Sequence, residues 1–421
     1  MAVYQLAFLL GLCLYSPILL WRSIVDSRYR RSFRQRTGRV QHVADGRPIV
    51  WIHGVSVGEI KAAGNIIARL RVERPDLQIV LSSTTPNGHQ VARQDHPDLQ
   101  VVFYPLDFWL WPARALDRIR PQCVLLMELE IWPNFLQAAA RRGVPVAVIN
   151  GRISERTFHG YRRAKGLLPQ LDRIRLFCVQ NNDYQQRLLD LGVDPATVVV
   201  TGNMKYDSVA MGTHAEAGAM LRRWLAAPGR LVLIAGSTHA EEEVMVCNAA
   251  AAHPGCAGIR IVVVPRHPER SAAVVDSLRS SGRLPVRWSE TQDGTLPLAE
   301  NAVLVVDAIG HLQKFYAAGD IAFVGGSLIP HGGQNMLEPA AQGRAVVFGP
   351  HTTNFRTDVD LLLQEGAAIC VADAQALGVE LARLCSDASL RGALGARGQA
   401  VIARNQGATA RTLARLRDVL G

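Results

Sequence analysis

Along this chain, uninterrupted apolar runs of strand length alternate with helical stretches, and that rhythm limits the fold more than any other feature. The predicted strands of the first half are Ile49–His53, Gln78–Ser82, Gln100–Tyr104, Cys123–Met127, Val144–Ile149, Leu176–Gln180 and Thr197–Thr201. Predicted helices at Gly58–Arg74, Asn134–Arg142 and Asp183–Leu191 lie between them. Strands with little polar alternation are buried on both faces, the mark of a parallel sheet covered by helices. Residues 208–229 lack strand character and are expected to be a linker. The rhythm restarts with Leu231–Ala235, Arg260–Val264, Val303–Val306, Asp320–Val324, Ala345–Phe348 and Ala368–Val371, and residues 387–420 are helical in pattern. With 421 residues there is chain enough for two domains. The expected fold is therefore α/β: two Rossmann-like domains facing a cleft, at 48–207 and 230–421, the second including the terminal helices. Ligands of such sheets belong at the strands' carboxyl ends.

The N-terminus has a different character. Residues 1–21 carry no charge, and as a helix they would cover about 30 Å, enough to span a hydrocarbon core. No basic segment precedes them and no small-residue cleavage site follows, so an anchor helix is expected and not a cleaved signal. A shallow interfacial helix is the alternative. In the basic segment 22–47, Arg22, Arg28, Arg30, Arg31, Arg34, Arg36 and Arg39 face only Asp26 and one further acid, Asp45. The positive-inside rule then puts the remaining chain in the cytoplasm; a solvated helix face is the plainer reading of the arginines. The net charge of +10 suits an anionic lipid surface and anionic substrates. The aromatic–basic interleaving of RNA-binding motifs is missing, so no nucleic-acid partner is expected. Seven scattered cysteines, never in CxxC, are expected to be reduced.

The stretch 323–350, FVGGSLIPHGGQNMLEPAAQGRAVVFGP, has the layout of a ligand site in an open sheet. A strand breaks at Gly325-Gly326, a loop carries His331-Gly332-Gly333, and Asn335 stands as N-cap before a helix over Met336–Gln342. Free N–H groups and the helix dipole there would favour an anion. The loop is neither GxGxxG nor GxxxxGK[ST], so dinucleotide and P-loop chemistry are not implied. Glu338, one turn in, suits ribose hydroxyls; a tight packing turn with an acid on the dipole is the alternative.

Other candidates sit at strand ends. Glu59 opens a helix after the first strand, where a carboxylate is either a proton acceptor for a sugar hydroxyl or a helix-end acid. Glu128 and Glu130 follow Cys123–Met127 two residues apart, without a His or Asp to complete a metal site. Asp358-Val359-Asp360 falls in a helical pattern and is expected to be incidental. The Thr84–Gly88 and Asn150–Ser154 loops are either acceptor contacts or turn chemistry. Lysine occurs only at Lys61, Lys165, Lys205 and Lys314. Lys205, after a strand, is therefore a candidate compact cation for phosphate or carboxylate, or a surface lysine. Arg266, His267 and Arg270 would crowd a helix N-terminus unless an anion lies among them.

These blocks together resemble one family. Trp51-Ile52-His53-Gly54-Val55-Ser56-Val57-Gly58-Glu59, 127–134, 150–161, Gly202–Asp207, Gly236-Ser237-Thr238, 265–270 and 323–350 are similar, in the same order, to the Kdo transferases, which attach 3-deoxy-D-manno-octulosonic acid to the lipid A precursor. The resemblance implies the glycosyltransferase-B (GT-B) architecture and inverting transfer from a CMP-Kdo donor to lipid IVA in lipopolysaccharide core biosynthesis. It implies Glu59 as general base, with Glu130 and Lys205 stabilising the transition state. Donor contacts carry over to Pro265 and Arg266, to Ile309, Gly310 and His311, and to Asn335, Met336, Leu337 and Glu338. The family commonly has Met-Gly-Glu where this chain has Ile309-Gly310-His311, and His-Asn-Pro-Leu-Glu where it has Gln334 to Glu338. No cofactor and no metal are expected, because protein cations would hold the departing phosphate. The expected place is the bacterial inner membrane, by a single N-terminal anchor, with the catalytic domains on the cytoplasmic side. The rival readings are a sugar-nucleotide epimerase or UDP-sugar transferase of the same architecture, and a membrane-tethered nucleotide-binding scaffold.

Overall fold

The computed structural model describes residues 4–5, 11, 27–42, 46–164, 171–209, 211–212, 214–227 and 229–420. Nearly all of the expected anchor at 1–21 lies outside the described residues. Among those described, no helix is long and apolar enough to cross a membrane. The arginine segment contributes a helix, Ser27–Arg36.

The chain divides into two compact units, residues 1–208 with 406–421, and residues 209–405. The first holds strands β1 (Ile49–His53), β2 (Gln78–Ser83), β3 (Gln100–Phe103), β4 (Cys123–Met127), β5 (Val146–Gly151), β6 (Leu176–Val179) and β7 (Val198–Val200). They form one parallel sheet in the order β3-β2-β1-β4-β5-β6-β7. The second holds β8 (Val232–Thr238), β9 (Arg260–Pro265), β10 (Leu284–Arg287), β11 (Ala302–Val305), β12 (Ile321–Val324), β13 (Ala345–Phe348) and β14 (Ala368–Cys370). Its sheet, also parallel, runs β10-β11-β9-β8-β12-β13-β14. Both units are the α/β, Rossmann-like folds expected.

The apolar runs are continuous because both faces of the sheets are covered. Every residue of β1 and β4 is buried, and so is every residue of β12 and β13. Side chains alternate between layers: Trp51 joins Phe135 and Tyr104 on one face, while Val50 and Ile52 join Ile60, Ile66 and Ile67 on the other. The sequence pattern missed β10. It is an edge strand with Leu284 exposed and Pro285 inside it, a residue that only an edge accommodates.

The C-terminal boundary also differs from the expected one. Helix Ala408–Leu420 belongs to the first unit, not to the second with the other terminal helices. Its Leu413, Leu416, Val419 and Leu420 join the layer built on Val50 and Ile52. Asp207 accepts the N–H groups of Gly407 and Thr409 at 2.6 Å each, an acid at the helix start. Arg411 Nε donates to Thr201 O at 2.8 Å. At the other boundary, 208–229 contains the helix Ala215–Leu225, which belongs to the second unit.

In the first sheet the connections leaving the neighbouring strands β1 and β4 run to opposite sides, and in the second those leaving β8 and β12 do. Crevices at such reversals, outside the carboxyl ends, are where open sheets of this kind bind ligands.

Candidate functional site

In the first unit, the turns after β1 and β4 carry three carboxyl groups. Ser56 and Glu59 form a reciprocal capping box at the start of the helix Val57–Glu73. Glu59 Oε2 accepts from Val55 N at 2.9 Å, and Oε1 accepts from Ser56 N at 3.2 Å and Ser56 Oγ at 2.8 Å. A carboxylate has about four acceptor positions, so one is left. Thr85 and Ser83 hold the same turn by donating to Val55 O at 2.8 and 2.9 Å.

Glu128 sits just past β4 with φ +57°, a left-handed backbone that is rare for glutamate. Burial raises its pKa, the Glu59 charge adds to that, and Arg152 opposes it. Glu130 is pushed up to about 7, first by burial, then by Glu59. Its bond from Trp132 Nε1, 3.0 Å, works the other way. Both therefore lie within electrostatic reach of Glu59. Among the described residues no group of three such side chains, these carboxyls included, is placed to share a metal ion.

Beneath them His53, fully buried, stacks on Tyr104 with ring centroids 3.7 Å apart. Burial holds its pKa down at about 3, and Ser82 bonds its Nδ1. Further along the sheet, Asn150 Oδ1 accepts from Met204 N at 3.0 Å, and Lys205 N donates to Asn203 Oδ1 at 2.9 Å. Asn65 Nδ2 bonds Met204 O at 3.0 Å. That pins the Lys205 turn to the helix that carries Glu59, six residues or about 9 Å further along its axis.

In the second unit the reversal is built around Glu242, which is completely buried. Oε2 accepts from His239 N at 2.9 Å and Gly326 N at 2.7 Å; Oε1 accepts from Ser327 N at 3.0 Å and Leu328 N at 3.1 Å. Gly325 is glycine for want of space: a Cβ there would sit 2.5 Å from Thr238 Cα. Gly326 has φ +69°, which turns the chain into the loop.

Residues 31–208 match the model of the family described as 3-deoxy-D-manno-octulosonic-acid transferase. The enzyme of that name from Haemophilus influenzae is 33% identical over 408 residues, covering 94% of this chain and 93% of its own. The one from Bordetella pertussis is 33% identical over 88% and 87%. This chain belongs to the 3-deoxy-D-manno-octulosonic acid transferase family. It is accordingly a glycosyltransferase that moves Kdo, in lipopolysaccharide biosynthesis. Among solved structures, MurG of Acinetobacter baumannii is similar with a TM-score of 0.55 at 14% identity, covering 88% of this chain and 99% of its own. The UDP-GlcNAc 2-epimerase of Neisseria meningitidis gives 0.53 at 12%, covering 89% and 99%. Those likenesses show the fold alone, which is of the GT-B type.

The turns expected to hold a donor differ in part from their expected geometry. The glycine loop was expected to offer its N–H groups to a ligand anion, but three of them face Glu242. The helix after it is five residues long, Leu337–Ala341, too short for a useful dipole, and Asn335 Oδ1 already caps Leu337 N at 3.1 Å. Met336 and Leu337 are fully buried, so their side chains face the core. Asn335 and Glu338 are half-buried and bonded to each other at 3.1 Å. Pro265 ends β9 and is buried, while Arg266 is exposed with its N–H on Thr238 O at 3.0 Å. Ile309 is 86% exposed, Gly310 has φ +86°, and the His311 ring lies 5.9 Å from Trp288.

Arg266, His267 and Arg270 do not form the expected uncompensated trio. Arg270 pairs with Glu243 at 3.3 Å and His267 with Glu269 at 3.3 Å. In the Thr84–Gly88 loop Thr85 caps Gly88 N at 3.1 Å. Asp358 lies in the helix Arg356–Gln364, as its pattern predicted. Sequence reasoning missed Glu242 and His239. Their only local signal is an acid three residues beyond His239 at a strand-to-helix turn, the spacing of a capping box.

Proposed function

We propose that this Kdo transferase takes Kdo from CMP-Kdo and places it on the lipid A precursor lipid IVA, with inversion, at the cytoplasmic face of the inner membrane. The observation that carries the reading is the Glu59 carboxylate, fixed at the sheet reversal by three donors with one acceptor position unused. A base held in this way needs no reorganisation when a hydroxyl proton reaches it. The acceptor hydroxyl loses its proton to Glu59 as its oxygen attacks the anomeric carbon of Kdo, and the bond to the CMP phosphate breaks. Glu130, protonated at the lower end of the neutral range, donates to or shields developing charge on the sugar. Lys205 supplies positive charge on a turn tied to the same helix.

The donor belongs to the second unit in this reading, with Asn335 and Glu338 presented to the nucleoside and Arg266 to an anionic group. Met336 and Leu337 contribute through their backbone. Protein cations take the part a metal would play, and no cofactor is proposed. Residues 1–21 anchor the chain, and the arginines of 22–47 lie against anionic lipid. The test is transfer by the purified full chain from CMP-Kdo to lipid IVA, with products resolved by mass. A product heavier by one or more Kdo units supports the reading. Turnover of CMP-Kdo with no mass added to the lipid rejects the acceptor, and no turnover at all rejects the donor.

A further inference from the structure

Because Glu242 takes the N–H groups of Gly326, Ser327 and Leu328, this part of the loop meets a ligand with side chains. Two of these converge on one residue of the β8 turn. The His331 ring lies 3.8 Å from that of His239, and the Gln334 amide nitrogen is 3.1 Å from His239 Nε2. The β9 turn approaches from another side, with the His267 ring 6.1 Å from His239. Burial first, then His331, His267, Arg270 and Arg266, hold the His239 pKa down at about 4. Two of these neighbours have acids of their own, Arg270 with Glu243 and His267 with Glu269. Glu242, on His239's own turn, is fully engaged by four N–H groups. Arg266 is in no ion pair among the described residues. An imidazole among these basic groups, one of them a guanidinium without an acid, takes up a proton readily only when an anion lies beside it.

We propose that His239, His331 and Arg266 form an anion clamp for the donor, closing on its phosphate or on the carboxylate of its sugar, with a proton taken up at His239. The clamp rests on the reading of the second unit as the donor's. An anionic oxygen beside the ring favours imidazolium, so the proton enters from solvent as the anion seats. The neutral ring accepts from the Gln334 amide nitrogen; the protonated ring donates, and the amide turns its oxygen toward it.

The experiment is calorimetry of CMP and of cytidine on the full chain, on His239→Gln and on His331→Gln, with KM for CMP-Kdo measured on each. A clamp on phosphate weakens CMP about 10–100-fold in the variants and leaves cytidine unchanged. A clamp on the carboxylate leaves CMP unchanged and raises KM for CMP-Kdo by a similar factor. Variants with wild-type CMP affinity and wild-type KM overturn the clamp while the donor reading stands. A wild-type chain that binds neither CMP nor cytidine overturns the donor reading and the clamp with it. CMP titrations at pH 7 in buffers of different ionisation enthalpy count the protons. Phosphate itself titrates near pH 6, so the readout is the difference from His239→Gln, and equal uptake in the two proteins overturns His239 as the proton's site. Unfolding midpoints accompany each variant, and His331, which is exposed, carries the test if His239→Gln does not fold.

Discussion

Glu242 and Gly326 stand 84 residues apart and are joined by a 2.7 Å bond from the glycine N–H to the buried carboxylate. With Ser327, Leu328 and His239 on the same side chain, the protein supplies its own anion to a nest that resembles a phosphate site. The turn after β8 and the loop after β12 are thereby locked across the reversal before any ligand arrives.

Glu242→Gln tests this lock. The amide would turn its NH2 group toward two N–H donors and leave both without an acceptor. We expect a loss of about 2–5 kcal/mol in urea unfolding, from two buried unsatisfied groups. A variant with wild-type stability would show that water or another acceptor replaces the carboxylate.

For Glu59 the capping bonds show the helix-end acid, and they also hold the carboxylate at the reversal, where the proposed base would stand. Glu59→Gln keeps an N3 acceptor for the capping box, so stability should fall by no more than about 2 kcal/mol. The transfer rate should fall ~10²–10⁴-fold, because the amide cannot take the proton. CMP affinity should be unchanged. A wild-type rate with saturating acceptor would remove Glu59 from the chemistry.

Runs such as Cys123–Met127 and Ala345–Phe348 were legible to the residue because burial on both faces leaves no polar interruption. The order of strands was not, since nothing local in β1 says that β4 lies beside it. Leu284–Arg287 escaped for the opposite reason: an edge strand is half exposed and lacks the pattern. Glu59, Glu130 and Arg266 could be singled out because each follows a strand. Glu242 could not be, because its role depends on a loop 84 residues away. His239 was overlooked beside Gly236-Ser237-Thr238 because its neighbours converge only in the fold.

The terminal helix offers a separate test of the division into units. Leu416 is fully buried in the layer of Val50 and Ile52. Leu416→Ala should cost about 2–5 kcal/mol. Hydrogen exchange should show the loss in 49–200 and leave β8 to β14 protected as before. Loss of protection in the second unit alone would mean that the helix supports that unit instead.

Glu130 gives the clearest pH signature. Its folded value of about 7 stands above the ordinary 4.5, with burial the main cause and Glu59 the second. The folded chain therefore holds this proton more tightly than the unfolded chain does. The stability gained is whole below about pH 4.5 and is lost as pH rises through about 7. Glu130→Gln keeps an acceptor for Trp132 Nε1 and cannot ionise. Urea unfolding should find it close to wild type at pH 5 and more stable at pH 8, by on the order of 1–3 kcal/mol. Because the Glu59 charge is the second cause of the raised value, Glu59→Gln should move the Glu130 midpoint toward lower pH. Parallel stability curves for Glu130→Gln and wild type from pH 5 to 8 would show that another group holds the shifted proton.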